Sequence, residues 1–227
     1  MSERNVNYMK RIGTVGLCLV AVLASSSVAV SSSSAALPKW LPAGTTATFT
    51  GTSESATIKS GKHAIECTAV SLTGKITGEN STTSTVKFTG CKDTVIKEFC
   101  NSTEPEAMKS GEIVTKAQKG KLVYLKSGKK TPVGLLLEPE IGELFVRVSC
   151  VEGVVKESIT GKIIGEVLPL NTMNTKGTVN FTLAAGSQRW TKVEEGAAID
   201  KLIVFGEEAT EQSEESIVFS ESVGIEA

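Results

Sequence analysis

The chain holds one histidine, His63, in the segment SGKHAIEC. Any Ser–His or Cys–His mechanism would have to use it, and would also need a nucleophile and an orienting third group. No nucleophile-elbow phrase is present. Alternation puts His63 on the strand face of Ile65 and Cys67, beside a Gly turn, which is the setting of a structural or solvated imidazole. Carboxylates are more numerous. Glu66, Glu79, Glu112, Glu138, Glu140, Glu143 and Glu166 all fall on or beside segments of strand pattern. Two carboxyls flanking a glycosidic bond are what glycoside hydrolysis requires. Glu79 and Glu166 form the leading pair, because each ends a repeated phrase, TGKITGE at 73–79 and TGKIIGE at 160–166. Two facts weigh against a sugar site. Glu commonly decorates the wet face of antiparallel strands, and beyond residue 36 the only Trp and Tyr are Trp40, Trp190 and Tyr124.

The acidic stretch 207–215 reads as a loop that could attract calcium. Calcium loops favour Asp and Asn at close alternating spacing, whereas this stretch has only Glu. Zinc is disfavoured, since there is no Cys-x-x-Cys and a single His. No catalytic, cofactor-binding or metal-ligating residue is therefore nominated, and no cofactor is expected. The residues singled out are the cysteines Cys67, Cys91, Cys100 and Cys150, an even set that predicts two disulfides in an oxidising compartment. Cys91 and Cys100 are nine apart, which favours a local staple and leaves Cys67 with Cys150. Two other pairings of four cysteines stay open.

That compartment follows from the N-terminus. Arg4, Lys10 and Arg11 precede the apolar run IGTVGLCLVAVLA and the small residues SSSVAVSSSSAA. This is the order of a secretory signal, with cleavage expected near Ala36–Leu37. An uncleaved anchor is the rival reading, and the serines at 25–27 interrupt it. Cys18 lies inside the run, without the small neighbours of a lipid-attachment site. Residues 1–36 are thus expected to be a signal peptide and 37–227 a single domain. Its acidic portion, 194–227, carries ten acidic groups and one Lys, whereas 37–193 carries 20 basic and 14 acidic groups. The lysines are spread along the chain, without the clustered aromatics of a nucleic-acid site, so no nucleic-acid partner is expected. A membrane partner is expected only through the signal segment, if that stays uncleaved.

The elements available to position any site are strands. TATFTG, SATIKSG, STVKFTG, ELFVRVSC and GTVNFTLAAG alternate or are rich in β-branched residues and end in turn residues. Alternation points Val86 and Phe88 inward, likewise Val179, Phe181 and Leu183, and groups Leu144, Val146, Val148 and Cys150. KLVYLKSGKKTPVGLLLEP reads as a hairpin with a Ser-Gly-Lys turn, and KLIVF with SIVFS as a late pair flanking the acidic loop. TEPEAMKSG and VEEGAAID could each form a turn or two of helix. Trp40 is expected to plug one end of the fold.

The phrase TGKIxGE recurs with a partner, TVKFT at 85–89 and TVNFT at 178–182. The shared order suggests internal duplication about a pseudo-two-fold axis, with isoleucines packing inward and lysines facing out. The rival is two similar strands of one barrel that converged on the same β-favouring composition. The phrases AALPKWLPAGTTATFTG, VKFTGCKD, GEIVT, VGLLLEP and GEVLPLNTM resemble a group of uncharacterised secreted proteins of soil actinobacteria, over Leu37 to about Thr182. The resemblance implies export, a shared fold and cysteines near the four named here. The expectation is an all-β domain, a many-stranded antiparallel barrel or a two-sheet sandwich. Its expected role is a secreted or cell-surface, non-enzymatic module for an unknown ligand, polymer or protein, binding or structural. The alternative is a secreted hydrolase using strand-borne carboxylates.

Overall fold

The computed structural model describes residues 37–103, 110–125, 132–150, 157–193 and 197–227. The proposed signal segment, most of TEPEAMKSG, the Ser-Gly-Lys turn and part of VEEGAAID lie outside the described residues. Ala36–Ala227 forms one compact unit.

Every regular element among the described residues is a strand. β1 (Lys39–Leu41) precedes β2 (Thr48–Ser53), β3 (Ala56–Ser60) and β4 (His63–Cys67). β5 (Ala69–Gly78) and β6 (Ser81–Thr89) follow, then the short β7 (Lys92–Asp93), β8 (Asn101–Ser102) and β9 (Ile113–Val114). Next come β10 (Gln118–Tyr124), β11 (Val133–Pro139), β12 (Leu144–Ser149), β13 (Glu157–Thr160), β14 (Ile163–Leu168) and β15 (Asn174–Phe181). After β16 (Leu183–Ala184), β17 (Ser187–Gln188) and β18 (Ile203–Val204), the 20-residue β19 (Glu207–Glu226) ends the chain.

Eight of these strands close a barrel. The antiparallel pairings run β2–β5–β6–β10–β11–β14–β15–β19 and back to β2. The order around the barrel is the order along the chain, a simple meander, and the closed sheet removes its own edges. β1 precedes the barrel and pairs with the last residues of β19. The other strands are inserted between β2 and β5, β6 and β10, β11 and β14, and β15 and β19, all at the opposite end. There they make a second circuit: β19–β3–β4–β7, then through the Lys92–Phe99 bridge to β8, and on by β12, β13 and β18 to β19. Strands such as β2 and β3 continue one another across a single bend, so this upper ring stacks on the barrel and shares its core. One hydrophobic cluster runs through both, from Trp40 and Phe49 to Ile65, Val148 and Val204.

Both disulfides sit in the upper ring, where they join Cys67 to Cys91 and Cys100 to Cys150. This corrects the expected pairing. The registers Glu66↔Lys92 and Ala69↔Thr89 place Cys67 opposite Cys91, and Ser149↔Asn101 places Cys150 opposite Cys100. Cys91 and Cys100 are also neighbours, but the Cys100 amide donates to the Cys91 carbonyl at 3.0 Å. Side chains approach more closely across non-hydrogen-bonded pairs than across hydrogen-bonded ones. The four cysteines thus form one row over adjacent strands, with Cys67 and Cys150 at its ends.

Three details of the strand reading also change. A bulge between Leu144 and Val146 turns Phe145 inward and leaves Leu144 half-buried. β15 stops at Phe181, so Leu183 belongs to the small β16–β17 hairpin. KLIVF does not pair with SIVFS. β18 turns back directly onto Glu207 and Glu208, and the supposed acidic loop is the first half of β19.

Candidate functional site

His63, Glu79, Glu112, Glu138 and Glu166 each have a local partner, and Glu138 and Glu140 line one groove. His63 Nδ1 lies 3.0 Å from Asp93 Oδ2, and its ring packs against Phe205 at 5.5 Å. Asp93 is buried and accepts the amides of Val95 and Ile96 at 2.7 and 3.0 Å. Burial pushes its pKa up, but the Ile96 amide, the His63 hydrogen bond and the Val95 amide outweigh it and hold the carboxyl below its ordinary value. The pair ties β4 to the turn after β7. The nearby Ser60 hydroxyl donates to the Val204 carbonyl at 2.7 Å and is committed there.

Glu79 and Glu166 do not meet. Glu79, in the turn after β5, pairs with Lys39 at 3.0 Å, and that hydrogen bond raises the Lys39 pKa. Glu166, on the outside of β14, accepts Trp190 Nε1 at 3.3 Å. Trp190 covers Val123, Leu125 and Ile164 on the outer wall, and Arg189 lies 5.0 Å above its ring. Glu112 pairs with Lys87 and Glu138 with Lys162, each at 3.0 Å. The Glu138 hydrogen bond, against burial, raises the Lys162 pKa. Trp40 is buried at the lower end. β1 holds it against the end of β19, edge-on to Phe219 at 6.0 Å.

Two features can receive a ligand. The first is a groove of about 1030 Å³ on the outside of β2, β5, β6, β10 and β11. Period-two alternation places Thr48 and Thr50, then Thr73, Lys75 and Thr77, then Ser81, Thr83 and Thr85, on this face, and all of them line the groove. Register sets Thr48, Lys75, Thr83, Lys119 and Glu138 in a single row across five strands. Lys75, Lys119 and Lys121 have no ion-pair partner among the described residues, and Glu138 is already taken by Lys162. Sequence reading recognised these strands but not the convergence of their outer faces.

The second feature is inside. On β19 the odd positions Ala209, Glu211, Ser213, Glu215 and Ile217 point inward and are buried. Two carboxyls therefore stand in the core. The Ser213 hydroxyl reaches Glu211 Oε1 at 3.4 Å. Burial pushes the Glu211 pKa up to about 7, and burial together with the charge of Glu211 pushes that of Glu215 up to about 8. A cavity of about 40 Å³ sets Glu211, Glu215, Thr115 and Gln118 among a majority of apolar side chains, and a neighbouring one of about 60 Å³ combines apolar side chains with Glu215, Thr82, Ser84, Asn174, Lys176 and Thr178. The alternation of TEQSEESIVF carried this signal. Extending the phase of Ile217 backwards lands on Glu215 and Glu211.

No family model, no curated protein and no solved structure matches the chain.

Proposed function

We propose that this is an exported, non-enzymatic β-barrel module that binds an extended anionic polymer along the groove outside β5, β6 and β10. The observation that carries the reading is the groove in which Lys75, Lys119 and Lys121 stand without ion-pair partners among the described residues, amid Ser and Thr hydroxyls, with Glu138 engaged by Lys162 and Glu140 as the other carboxylate. Ammonium groups attract anionic units, and the hydroxyls supply donors and acceptors along an extended chain. Export is supported by the charged, apolar and small-residue order of residues 1–36, by two disulfides compatible with an extracellular location, and by the resemblance to secreted actinobacterial proteins.

The test is retention of the purified domain on immobilised anionic and neutral polysaccharides, with soluble products assayed in parallel. Retention on the anionic polymer at low salt is expected, with elution as ionic strength rises. The K75A/K119A/K121A variant is expected to bind at least about tenfold more weakly, which is about 1.4 kcal/mol. Equal retention on neutral polymers, unchanged by the triple substitution, would reject the groove. Release of shortened products would move the hydrolase reading to first place.

A further inference from the structure

The barrel closes, but one seam of its wall is interrupted. The β15–β19 ladder runs from Phe181↔Ser213 to Lys176↔Val218 and resumes only at Asn174↔Val223. Residues 219–222 of β19 therefore stand opposite Thr175 alone. Irregularities of this kind bend a strand and end pairing, and they gather at barrel rims and beside sites. The cavity of about 60 Å³ lies at this break, because Lys176, Phe219 and Val223 from its two sides are part of the lining. Leu168, Thr172, Asn174 and Lys176 belong to the same lining and are exposed to solvent, so the cavity has a mouth at the lower end.

Behind the mouth the walls are mostly apolar. Phe49, Leu72, Val86, Leu135, Val167 and Ile217 line the cavity and are buried. Its only charged members are Lys176 at the mouth and Glu215 inside. Burial and the charge of Glu211 push the Glu215 pKa up to about 8, so this carboxyl is mostly neutral at pH 7. Lys176 has no ion-pair partner among the described residues. A second, independent feature points to a missing acceptor. Trp40, 5% exposed, is part of the lining, and its Nε1 is buried without a hydrogen-bond partner. Its ring stands edge-on to Phe219, the first residue of the break, at 6.0 Å. The Thr82 hydroxyl in the same lining is unpartnered as well. Buried polar groups are nearly always satisfied, and an unsatisfied one calls for an explanation. One water requires about 10–15 Å³, so a cavity of about 60 Å³ admits roughly four to six non-hydrogen atoms.

We propose that this cavity binds a short straight-chain aliphatic carboxylate of about six carbons, its alkyl tail enclosed by the apolar walls and its carboxylate at the mouth with Lys176 and the Trp40 N–H. The chemistry matches at both ends. Apolar walls favour methylenes over water, and each one enclosed strengthens binding about fourfold. The carboxylate supplies the negative charge and the acceptor oxygens that the mouth lacks. The reverse orientation fails, because it would strip the carboxylate of water beside apolar walls and another carboxyl. The ligand is a monomer held inside the barrel, so this site stands apart from polymer binding on the outer groove.

The experiment is calorimetric titration of the full domain at pH 7 with butanoate, hexanoate, octanoate and decanoate, and with hexanol. The expected result is one saturable site, about tenfold tighter for hexanoate than for butanoate, with affinity falling again by decanoate as the tail outgrows the cavity. Lys176→Glu should weaken hexanoate about fivefold or more and leave hexanol unchanged. Lys62→Glu makes the same charge change on an exposed turn of the upper ring and should alter neither. Trp40→Phe keeps an aromatic ring but removes the N–H, and should weaken hexanoate about threefold or more. Val223→Phe places bulk at the mouth and should abolish binding of both ligands. Circular dichroism of each variant verifies folding, and the exposed Lys176 change keeps the test independent of the two buried ones. Absence of saturable hexanoate binding by the folded wild-type domain would overturn the proposal. So would affinity that still rises at decanoate, which is adsorption to a surface rather than enclosure. Equal losses in Lys62→Glu and Lys176→Glu would overturn it too, because they would reveal net charge rather than a site.

Discussion

Glu211 and Glu215 make stability depend on pH in an uncommon direction. Both carboxyls are held above the ordinary value of 4.5, at about 7 and about 8. Between pH 4.5 and 8 the unfolded chain therefore binds fewer protons than the folded one, and stability falls as pH rises. Guanidinium unfolding should show a lower midpoint at pH 8.5 than at pH 5. Glu215→Gln should flatten that slope and raise stability at pH 8.5 by about 1–4 kcal/mol. Asp93 acts in the opposite sense. Its carboxyl is held below the ordinary 3.8, so its contribution is present above that value and is lost as pH falls through the depressed one. Asp93→Ala removes two amide bonds and the His63 contact at a buried position, and should cost about 2–4 kcal/mol at pH 7. Denaturant melts of this variant beside His63→Ala would separate the turn from the imidazole. A loss as large in His63→Ala would contradict the amide-bond argument.

The repeated phrase shows what a strand can and cannot disclose. Both copies use their isoleucine for packing, since Ile76 and Ile163 are buried. Their strands, β5 and β14, are four places apart in the ring of eight, as a two-fold relation requires, and β6 and β15 with the TVxFT copies are too. The registers disagree with equivalence, however. Val86 faces Leu72 and Val179 faces Val167, so the residue level with Leu72 is Val167 rather than Ile159. The two heptads are eight residues out of step on matching strands. The four charged side chains do not share a cleft. Lys75 is in the groove, Glu79 is with Lys39, Lys162 is with Glu138, and Glu166 is under Trp190. Even the shared glycine serves two purposes. A Cβ on Gly74 would meet the Phe49 ring and come 2.5 Å from the Thr83 carbonyl. Gly161 has φ +96° and bends the chain from β13 into β14, where a Cβ would strike the Lys201 carbonyl. Each Gly→Ala change should destabilise by about 1–3 kcal/mol, from overpacking in the first and from backbone strain with a clash in the second. Thermal melts would measure both, and a neutral outcome at Gly161 would refute the bend.

At the scale of the whole molecule, the upper ring depends on its staples. Its strands are short, and its β7–β8 junction is a single bridge. The two disulfides close loops of 24 and 50 residues, and in the chain-entropy model each contributes about 3–4 kcal/mol. Reduction should therefore lower the denaturant midpoint sharply. Cys67→Ala with Cys91→Ala should cost slightly less than Cys100→Ala with Cys150→Ala, because the loop is shorter. Non-reducing peptide mapping checks the pairing itself, and a Cys91–Cys100 peptide would contradict it.

The strand segments, the inward residues Val86, Phe88, Val179 and Phe181, and the all-β class were legible because side-chain alternation and β-branched content are local properties. So was the prospect of two disulfides, since four cysteines follow the proposed cleavage point. Tertiary structure alone decided the rest. Closure of eight strands into a barrel, stacking of the upper ring and the row of cysteines depend on which strands become neighbours and in what register, and one residue of slip exchanges the two faces. The same holds for both candidate sites. Lys75, Lys119 and Lys121 come together only because β5, β6 and β10 lie side by side. Glu211 and Glu215 looked like a solvated loop because charge usually marks the surface, until pairing with β3 and β15 fixed their strand and turned them inward.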